Sequence, residues 1–167
     1  NNTGFVNGTP SYMFYNSLPN HTATLMPSTT YTMTVSTGAW GSQGLAAWID
    51  YNDDGIFAST ERIGATATTI GSGVTPGAVN ATGSFTISLA CNPPVGIHRM
   101  RVRTVYATNG VTLSPCTNYQ WGETEDYMVT IAPAPACPSA GVLNANLDTP
   151  PASTSADFTW EQGCSSA

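Results

Sequence analysis

Lysine is absent from this sequence, and charged side chains of every kind are scarce, at 8% of the residues. The four basic residues are all arginines, and the formal net charge is −6 with a pI near 4.4. Nucleic acids and anionic membrane surfaces bind clustered positive charge on an exposed face, so this composition argues against both partners. No apolar run approaches the ~20 residues of a membrane-spanning helix, which argues against direct membrane insertion.

Helical periodicity and the common catalytic signatures are also missing. The chain has no G-x-S-x-G, no H-E-x-x-H and no Cys/His pair, so we predict that it is not an enzyme. Apolar residues make up 41% of the chain and aromatic residues 10%, which is enough for a hydrophobic core. Threonine, serine, asparagine and glycine take the place of charge, and β-branched threonine favours extended backbone.

Extended segments are separated by clear turn signals. Residues 30–36 alternate apolar and polar side chains, residues 44–49 form a short continuous apolar run, and residues 85–89 alternate again. Two further segments, 97–106 and 126–131, complete the series. Turns rich in proline, glycine, aspartate and asparagine lie between them. We therefore predict an all-β fold, a jelly-roll-like β-sandwich of antiparallel strands.

The C-terminal part of the chain has a different composition. Residues 132–136 alternate alanine and proline, which is typical of a stiff, extended linker. We predict one β-sandwich domain over residues 1–131, then this linker, and over residues 137–167 the incomplete beginning of a fibronectin type III-like domain. The N-terminal residues lack the pattern of a signal peptide, and we expect the chain to be an internal part of a longer protein.

The four cysteines form no C-x-x-C pair, which favours structural disulfides over a zinc site. Disulfides would place the protein in an oxidising, extracellular compartment. Three connectivities are possible, and we favour the one that keeps each bond inside one predicted domain. Its pairs are Cys91–Cys116 and Cys137–Cys164.

An acidic segment at residues 50–61 matches the calcium-loop pattern D-x-[DN]-x-[DN]-G-x5-E at every specified position. In such loops, oxygen atoms at alternate positions converge on a hard cation, and the glycine permits a sharp turn. The residues before it are typical of a strand and not of an EF-hand helix, which indicates an ion that holds a strand connection. An acidic β-turn without an ion is the alternative. The predicted Ca²⁺ ligands are Asp50, Asn52, Asp54, the carbonyl of Ile56, and Glu61.

Three arginines alternate along one predicted strand, and three acids lie within four residues at the start of the last one. Opposite charges on neighbouring strands can pair across a sheet and fix its register. A catalytic acid–base pair of the glycosidase type is the alternative, but no nucleophile or histidine pattern accompanies it. The predicted ion-pair cluster comprises Arg99, Arg101, Arg103, Glu123, Glu125 and Asp126.

Two aromatic residues beside the acidic block, Tyr119 and Trp121, are candidates for a platform that binds a sugar ring. The alternative for both rings is a place in the core or on the sheet surface. A surface glycan is therefore one of the partners that we expect.

Four blocks resemble the GEVED domain family in the order in which they occur: residues 48–55, Glu61, residues 99–103 and residues 122–127. The resemblance extends over roughly residues 10–132, and Thr124 stands where the family has valine. It implies a β-sandwich module of large secreted bacterial proteins, including gliding adhesins and peptidases exported by type IX secretion. It implies no catalytic residues.

Together, these inferences predict a non-catalytic structural or adhesive module of a secreted bacterial cell-surface protein, stabilised by calcium. The expected partners are neighbouring domains of the same chain, surface glycans or other cell-surface proteins. A carbohydrate-binding accessory domain of a secreted peptidase or glycoside hydrolase is the alternative. An enzyme in its own right is supported by the acidic cluster alone.

Overall fold

A computed structural model describes residues 11–16, 20–37, 42–71, 82–90 and 92–134. Within these residues the regular structure consists of eight strands and two short 3-10 turns, at Ser59–Glu61 and Gly110–Thr112. The strands are β1 (Ser11–Tyr15), β2 (Thr24–Leu25), β3 (Tyr31–Ser36), β4 (Gln43–Asp50), β5 (Arg62–Ala65), β6 (Thr82–Ile87), β7 (Gly96–Tyr106) and β8 (Gly122–Ile131).

The strands form two sheets. The main sheet has the order β1-β8-β7-β4-β5, and β2 pairs with β8 alongside β1, while β3 and β6 form the second sheet. The predicted all-β sandwich is therefore confirmed. It differs from a fully antiparallel arrangement because β1 and β2 run parallel to β8. Since these strands are separated from β8 by most of the domain, no tight hairpin forces them to be antiparallel.

Strand β4 lies inside the main sheet, between β7 and β5, and all eight of its residues are buried. A strand that is covered on both faces has a continuous apolar sequence, which explains the run at residues 44–49. Leu45, Ala47 and Ile49 lie on the face that packs against the second sheet. Their neighbours in this core include Phe85 and Ile87 of β6 and a group of residues from other strands: Leu25, Ile63, Met100, Val102, Val129 and Ile131.

The opposite face of the main sheet carries Arg99, Arg101 and Arg103, and we call it the arginine face. Ala46 and Trp48 of β4 lie on this face, where Trp48 is 1% exposed. No second sheet covers the arginine face in the part of the chain that the structure describes. The loop at residues 51–61 and the segment between β7 and β8 cover it instead, through Phe57, Leu113 and Tyr119.

Close backbone contact holds the segment between β7 and β8 against β4. A Cβ atom at Gly44 would lie 2.0 Å from the carbonyl oxygen of Thr108, and one at Gly110 would lie 2.1 Å from that of Leu45. Both positions therefore require glycine.

No helix in the described ranges is long and apolar enough to cross a bilayer. Residues 132–134 of the predicted linker follow β8 without forming a strand. The rest of the linker and the predicted second β domain at residues 137–167 lie outside the described residues.

Candidate functional site

The arginine face is built by side-chain alternation on β7. Residues two apart on a strand share a face, so the three arginines project in a row from the middle of the sheet. Each guanidinium lies over an aromatic ring: Arg99 is 4.8 Å from the Phe14 centroid, Arg101 is 4.3 Å from that of Phe57, and Arg103 is 4.6 Å from that of Tyr119. Contacts of this kind contribute about 0.5–2 kcal/mol each, depending on desolvation.

The middle arginine forms a two-pronged ion pair with a fully buried acid. Nε of Arg101 donates to Oδ1 of Asp126 at 2.8 Å, and Nη2 donates to Oδ2 at 2.9 Å. The hydroxyl of Tyr12 on β1 donates to the same carboxylate at 3.0 Å, so three adjacent strands are joined at one point. Burial alone lowers the pKa of Arg101, but its hydrogen bond to Asp126 and the charge of that carboxylate raise it above the ordinary value. Burial, and then the charge of Asp126, raises the pKa of Tyr12.

Arg103 is buried, and this burial lowers its pKa. Its Nε donates to the hydroxyl of Thr124 at 3.2 Å, and its two terminal nitrogens donate to the carbonyl oxygens of Ser114 and Thr117. The hydroxyl of Tyr119 lies 2.7 Å from that of Thr124. The threonine that replaces the expected valine therefore supplies an acceptor to a buried cation.

The predicted ion-pair cluster is divided between the two faces of the sheet. The β7–β8 register places Arg101 opposite Asp126 and Arg103 opposite Thr124. It places Glu123 opposite Thr104 and Glu125 opposite Val102, so these two acids project from the other face. There Glu125 accepts a hydrogen bond from the hydroxyl of Tyr127. Burial, followed by the contact with Glu125, raises the pKa of Tyr127 far above its ordinary range.

The acidic loop at residues 50–61 is closed by hydrogen bonds from its own backbone. The carboxylate of Asp50, which is 3% exposed, accepts the amide of Asp54 at 3.2 Å and that of Gly55 at 3.0 Å. Glu61 accepts the amide of Tyr51 at 3.0 Å and that of Ala58 at 2.8 Å, which joins the two ends of the loop.

The exposed tip of this loop is organised by Asn52 and Asp54. The amide nitrogen of Asn52 donates to Oδ2 of Asp54 at 2.8 Å, and Oδ1 of Asp54 accepts the backbone amide of Ile56 at 2.7 Å. Asp53 and Gly55 have φ values of 55° and 80°, which the Asn-Asp-Asp-Gly sequence tolerates.

The chemical types of the predicted Ca²⁺ ligands fit a hard cation, because all of them are oxygen donors. Their arrangement fits less well. In the described part of the chain, no three or more His, Cys, Asp or Glu side chains are grouped in a way that could hold a metal ion. Because both oxygens of Glu61 accept backbone amides, an ion would have to compete with those bonds.

His98 was not part of the predicted site, yet it anchors the acidic loop to β7. The side chain is 3% exposed. Its Nδ1 lies 3.1 Å from Oδ1 of Asp53, and its Nε2 lies 3.0 Å from the carbonyl oxygen of Pro94. The sequence signal for this contact is a lone histidine that aligns with the buried face of β7, which indicates a structural role and not a ligand.

Cys116 is exposed, and it is the one cysteine among the residues that the structure describes. The other predicted disulfide residues, Cys91, Cys137 and Cys164, lie outside the described residues, so both pairings stay predictions. Nη1 of Arg101 lies 3.6 Å from the sulfur of Cys116.

The two residues of the predicted glycan platform have different surroundings. Tyr119 is half-buried beneath Arg103 and forms part of the arginine face. Trp121 is 51% exposed and makes an edge-to-face contact with Tyr106, with ring centroids 5.9 Å apart and an interplanar angle of 88°. Tyr106 was not among the predicted platform residues, although it ends β7 and is itself 42% exposed.

Comparison with known proteins identifies a family but no individual relative. No curated protein and no solved structure matches the chain. The family model for the GEVED domain matches residues 44–130, just over half of the chain. The matched region contains the acidic loop, β7 with its three arginines, and the Gly122–Tyr127 segment that pairs with β7. The chain belongs to the GEVED domain family, whose members are non-catalytic modules of extracellular multidomain proteins.

Proposed function

We propose that the chain is a rigid structural or adhesive module of a secreted bacterial cell-surface protein. The observation that carries this proposal is the Arg101–Asp126–Tyr12 network, in which the central acid is 0% exposed. A buried charge with three hydrogen bonds is typical of a structural role, because a catalytic acid needs access to its substrate. The neighbouring domains of the parent chain are the first partners that such a module would have.

Trypsin offers a direct test, because the chain has four arginines and no lysine. Three of the four cleavage sites lie within β7, between β4 and β8. A protease requires an extended segment of many residues, so cleavage in β7 requires the centre of the main sheet to open. We expect the full chain to resist cleavage after Arg99, Arg101 and Arg103 until urea unfolds it. Rapid cleavage at these sites in native buffer would contradict a rigid module.

The enzymatic alternative depends on the acidic residues of β8 and can be tested separately. A panel of chromogenic glycosides and peptides, incubated with the full chain, should show no turnover above buffer. Turnover that E123Q or E125Q abolishes, without lowering the urea midpoint, would replace our proposal with a catalytic one.

We also propose that Ca²⁺ stabilises the acidic loop. The support is the oxygen donor set: the carboxylates of Asp50, Asp54 and Glu61, the side-chain oxygen of Asn52, and the carbonyl of Ile56. An ion bound there would fix a loop that otherwise relies on hydrogen bonds from its own backbone, and it would stabilise the folded state by mass action.

The calcium test compares thermal melts of each variant in calcium and in chelator. The difference between the two conditions is the readout, because D50N also weakens the capping of two backbone amides and lowers the melting temperature by itself. We expect calcium to raise the midpoint of the wild type by several degrees, to have no effect on D50N, and to retain its effect on the control E123Q, whose acid lies outside the loop. Equal midpoints in calcium and chelator for the wild type would show that the loop is an acidic turn closed by its own hydrogen bonds.

A carbohydrate-binding accessory domain of a secreted enzyme is the second candidate function. The specific observation in its favour is the exposed pair of aromatic rings at Tyr106 and Trp121. An adhesive module and an accessory domain can use the same ligand site.

A further inference from the structure

A cavity of about 550 Å³ opens beside the C-terminal end of β7, and no residue of the acidic loop lines it. It lies between residues 105–108 and the segment at residues 112–121. Small-molecule sites typically have volumes of about 300–1,000 Å³, so the cavity is large enough for a ligand. A second cavity of about 330 Å³ shares Arg103, Thr117, Asn118 and Tyr119 with it, which would extend a binding surface beyond one small ring.

Two large aromatic side chains form a corner at the cavity. The rings of Tyr106 and Trp121 are almost perpendicular, and both are about half exposed. The backbone amide of Tyr106 donates to the carbonyl oxygen of Trp121 at 3.1 Å, which fixes the two residues relative to each other. The two backbone segments that carry the rings are therefore joined before any ligand arrives, and less entropy is lost on binding.

Apart from Arg103, the polar side chains that line the cavity are uncharged. The lining contains hydroxyl and amide side chains, including Thr108, Thr117, Asn118 and Gln120, and it contains no carboxylate and no lysine. Its one cation, Arg103, already donates to Thr124 and to the carbonyl oxygens of Ser114 and Thr117. Because Arg103 is also 3% exposed, an anionic ligand in the cavity would meet no exposed cationic group among these residues.

Exposed aromatic faces beside neutral hydrogen-bonding groups suit a particular ligand chemistry. A pyranose ring has an apolar face of C–H groups that stacks on an aromatic ring, and a rim of hydroxyls that can both donate and accept. We propose that the corner formed by Tyr106 and Trp121 binds neutral glycans, with Asn118 and Gln120 as hydrogen-bonding partners. The inference deepens the proposed adhesive function by naming its ligand class. The proposed platform differs from the predicted one: Tyr106 takes the place of Tyr119 beside Trp121, because the ring of Tyr119 packs against the guanidinium of Arg103.

Binding can be measured with the full 167-residue chain and a panel of neutral hexasaccharides from cellulose, laminarin, chitin and mannan. Alginate and heparin fragments serve as anionic probes. Isothermal titration gives the affinity, and W121A, Y106A and W121F are compared with the wild type. The matched control is I97A, which removes an exposed apolar side chain that is not among the cavity residues.

We expect at least one neutral hexasaccharide to bind, with at least a tenfold loss of affinity for W121A and Y106A and less than a threefold loss for W121F. Binding to a neutral ligand should also be unchanged between about 0.05 and 0.5 M salt, since no charge is screened. I97A should bind as the wild type does.

Three results would overturn the proposal: no neutral hexasaccharide binds, only alginate or heparin binds, or W121A binds as tightly as the wild type. Trypsin resistance of the same samples separates this failure from that of the proposed function. A resistant chain that binds no glycan would leave a rigid module without this site. A chain that trypsin cleaves within β7 in native buffer would refute the rigid module itself.

Discussion

The buried ion pair between Arg101 and Asp126 supports a quantitative prediction about which partner is more costly to lose. The carboxylate of Asp126 is 0% exposed, whereas the side chain of Arg101 is 16% exposed. In R101M, the charge of Asp126 stays buried and keeps the hydrogen bond from the hydroxyl of Tyr12. In D126N, the guanidinium retains the carbonyl oxygen of Pro115 at 3.1 Å and can still recruit water.

The two substitutions should therefore differ in cost. Removing one partner of a buried pair costs about 3–5 kcal/mol, and we place R101M at the upper end, about 4–5 kcal/mol. D126N loses charge-assisted hydrogen bonds worth about 2–3 kcal/mol. The double variant R101M/D126L leaves no buried charge at this point, and replacing both members of a buried pair by apolar residues is often close to neutral. We expect it to be more stable than R101M alone.

Urea unfolding, followed by tryptophan fluorescence at pH 7 with linear extrapolation, measures these differences. For a domain of this size, each kcal/mol lost corresponds to roughly 3–4 °C in the melting temperature. R62M is the matched control, because Arg62 is exposed and its guanidinium contacts the carbonyl oxygen of Val111. If D126N were as costly as R101M, or if the double variant were less stable than R101M, the reasoning from burial would be wrong.

Three further predictions concern pH, close packing and the extent of the folded unit. Because the folded-state pKa of Tyr127 is raised, folded chains keep this proton above about pH 10 while unfolded chains lose it, so stability should fall with rising pH by about 1.4 kcal/mol per pH unit for each such tyrosine. Unfolding free energies measured between about pH 9 and 11.5 should fall less steeply for Y127F than for the wild type. An unchanged slope would contradict the assignment. G44A should lower the free energy of unfolding by about 1–3 kcal/mol or more, because its Cβ would lie 2.0 Å from a carbonyl oxygen. G55A has open space around it but a φ of 80°, so it should lower the same free energy by only about 1 kcal/mol. Equal urea midpoints for the two variants would refute the packing argument. A chain of residues 42–134 should show no cooperative unfolding transition, whereas residues 11–134 should show one; a cooperative melt of the shorter chain would show that the N-terminal strands are dispensable.

Strands with clear periodicity could be predicted from the sequence, and others could not. Alternation identified β3 and β6, and a continuous apolar run identified β4, because each pattern follows directly from how many faces are buried. β1 was missed because Tyr12 to Tyr15 are all large, so no alternation is visible. β2 and β5 have two and four residues, too few for a period to show.

Most of the arginine face could have been predicted from one strand. The alternation of Tyr127, Val129 and Ile131 toward the core assigns Glu125 and Glu123 to the same side of β8, and Asp126 and Thr124 to the other. Only the even-numbered pair can then meet arginines that project from the arginine face. The aromatic rings over these arginines could not be inferred in the same way, because Phe57 and Tyr119 reach the face from loops whose paths depend on tertiary packing.

The limits of the family match differ from those of the folded unit, and the reason is physical. The match begins at residue 44, inside β4, and ends at residue 130. Yet Leu25, which lies in the core between the two sheets, comes from the N-terminal strands, and so do Met33 and Val35, which pack against that core. The partner of β6 is β3, so a chain that starts at β4 would leave the second sheet with one strand and expose Phe85 and Ile87. Many apolar sequences can supply a covering strand, because the strand needs only alternation and approximate volume, whereas the arginine face requires particular side chains in a particular register. Family recognition therefore follows the residues whose chemistry is constrained, and the sandwich extends beyond them to the strands that complete its core.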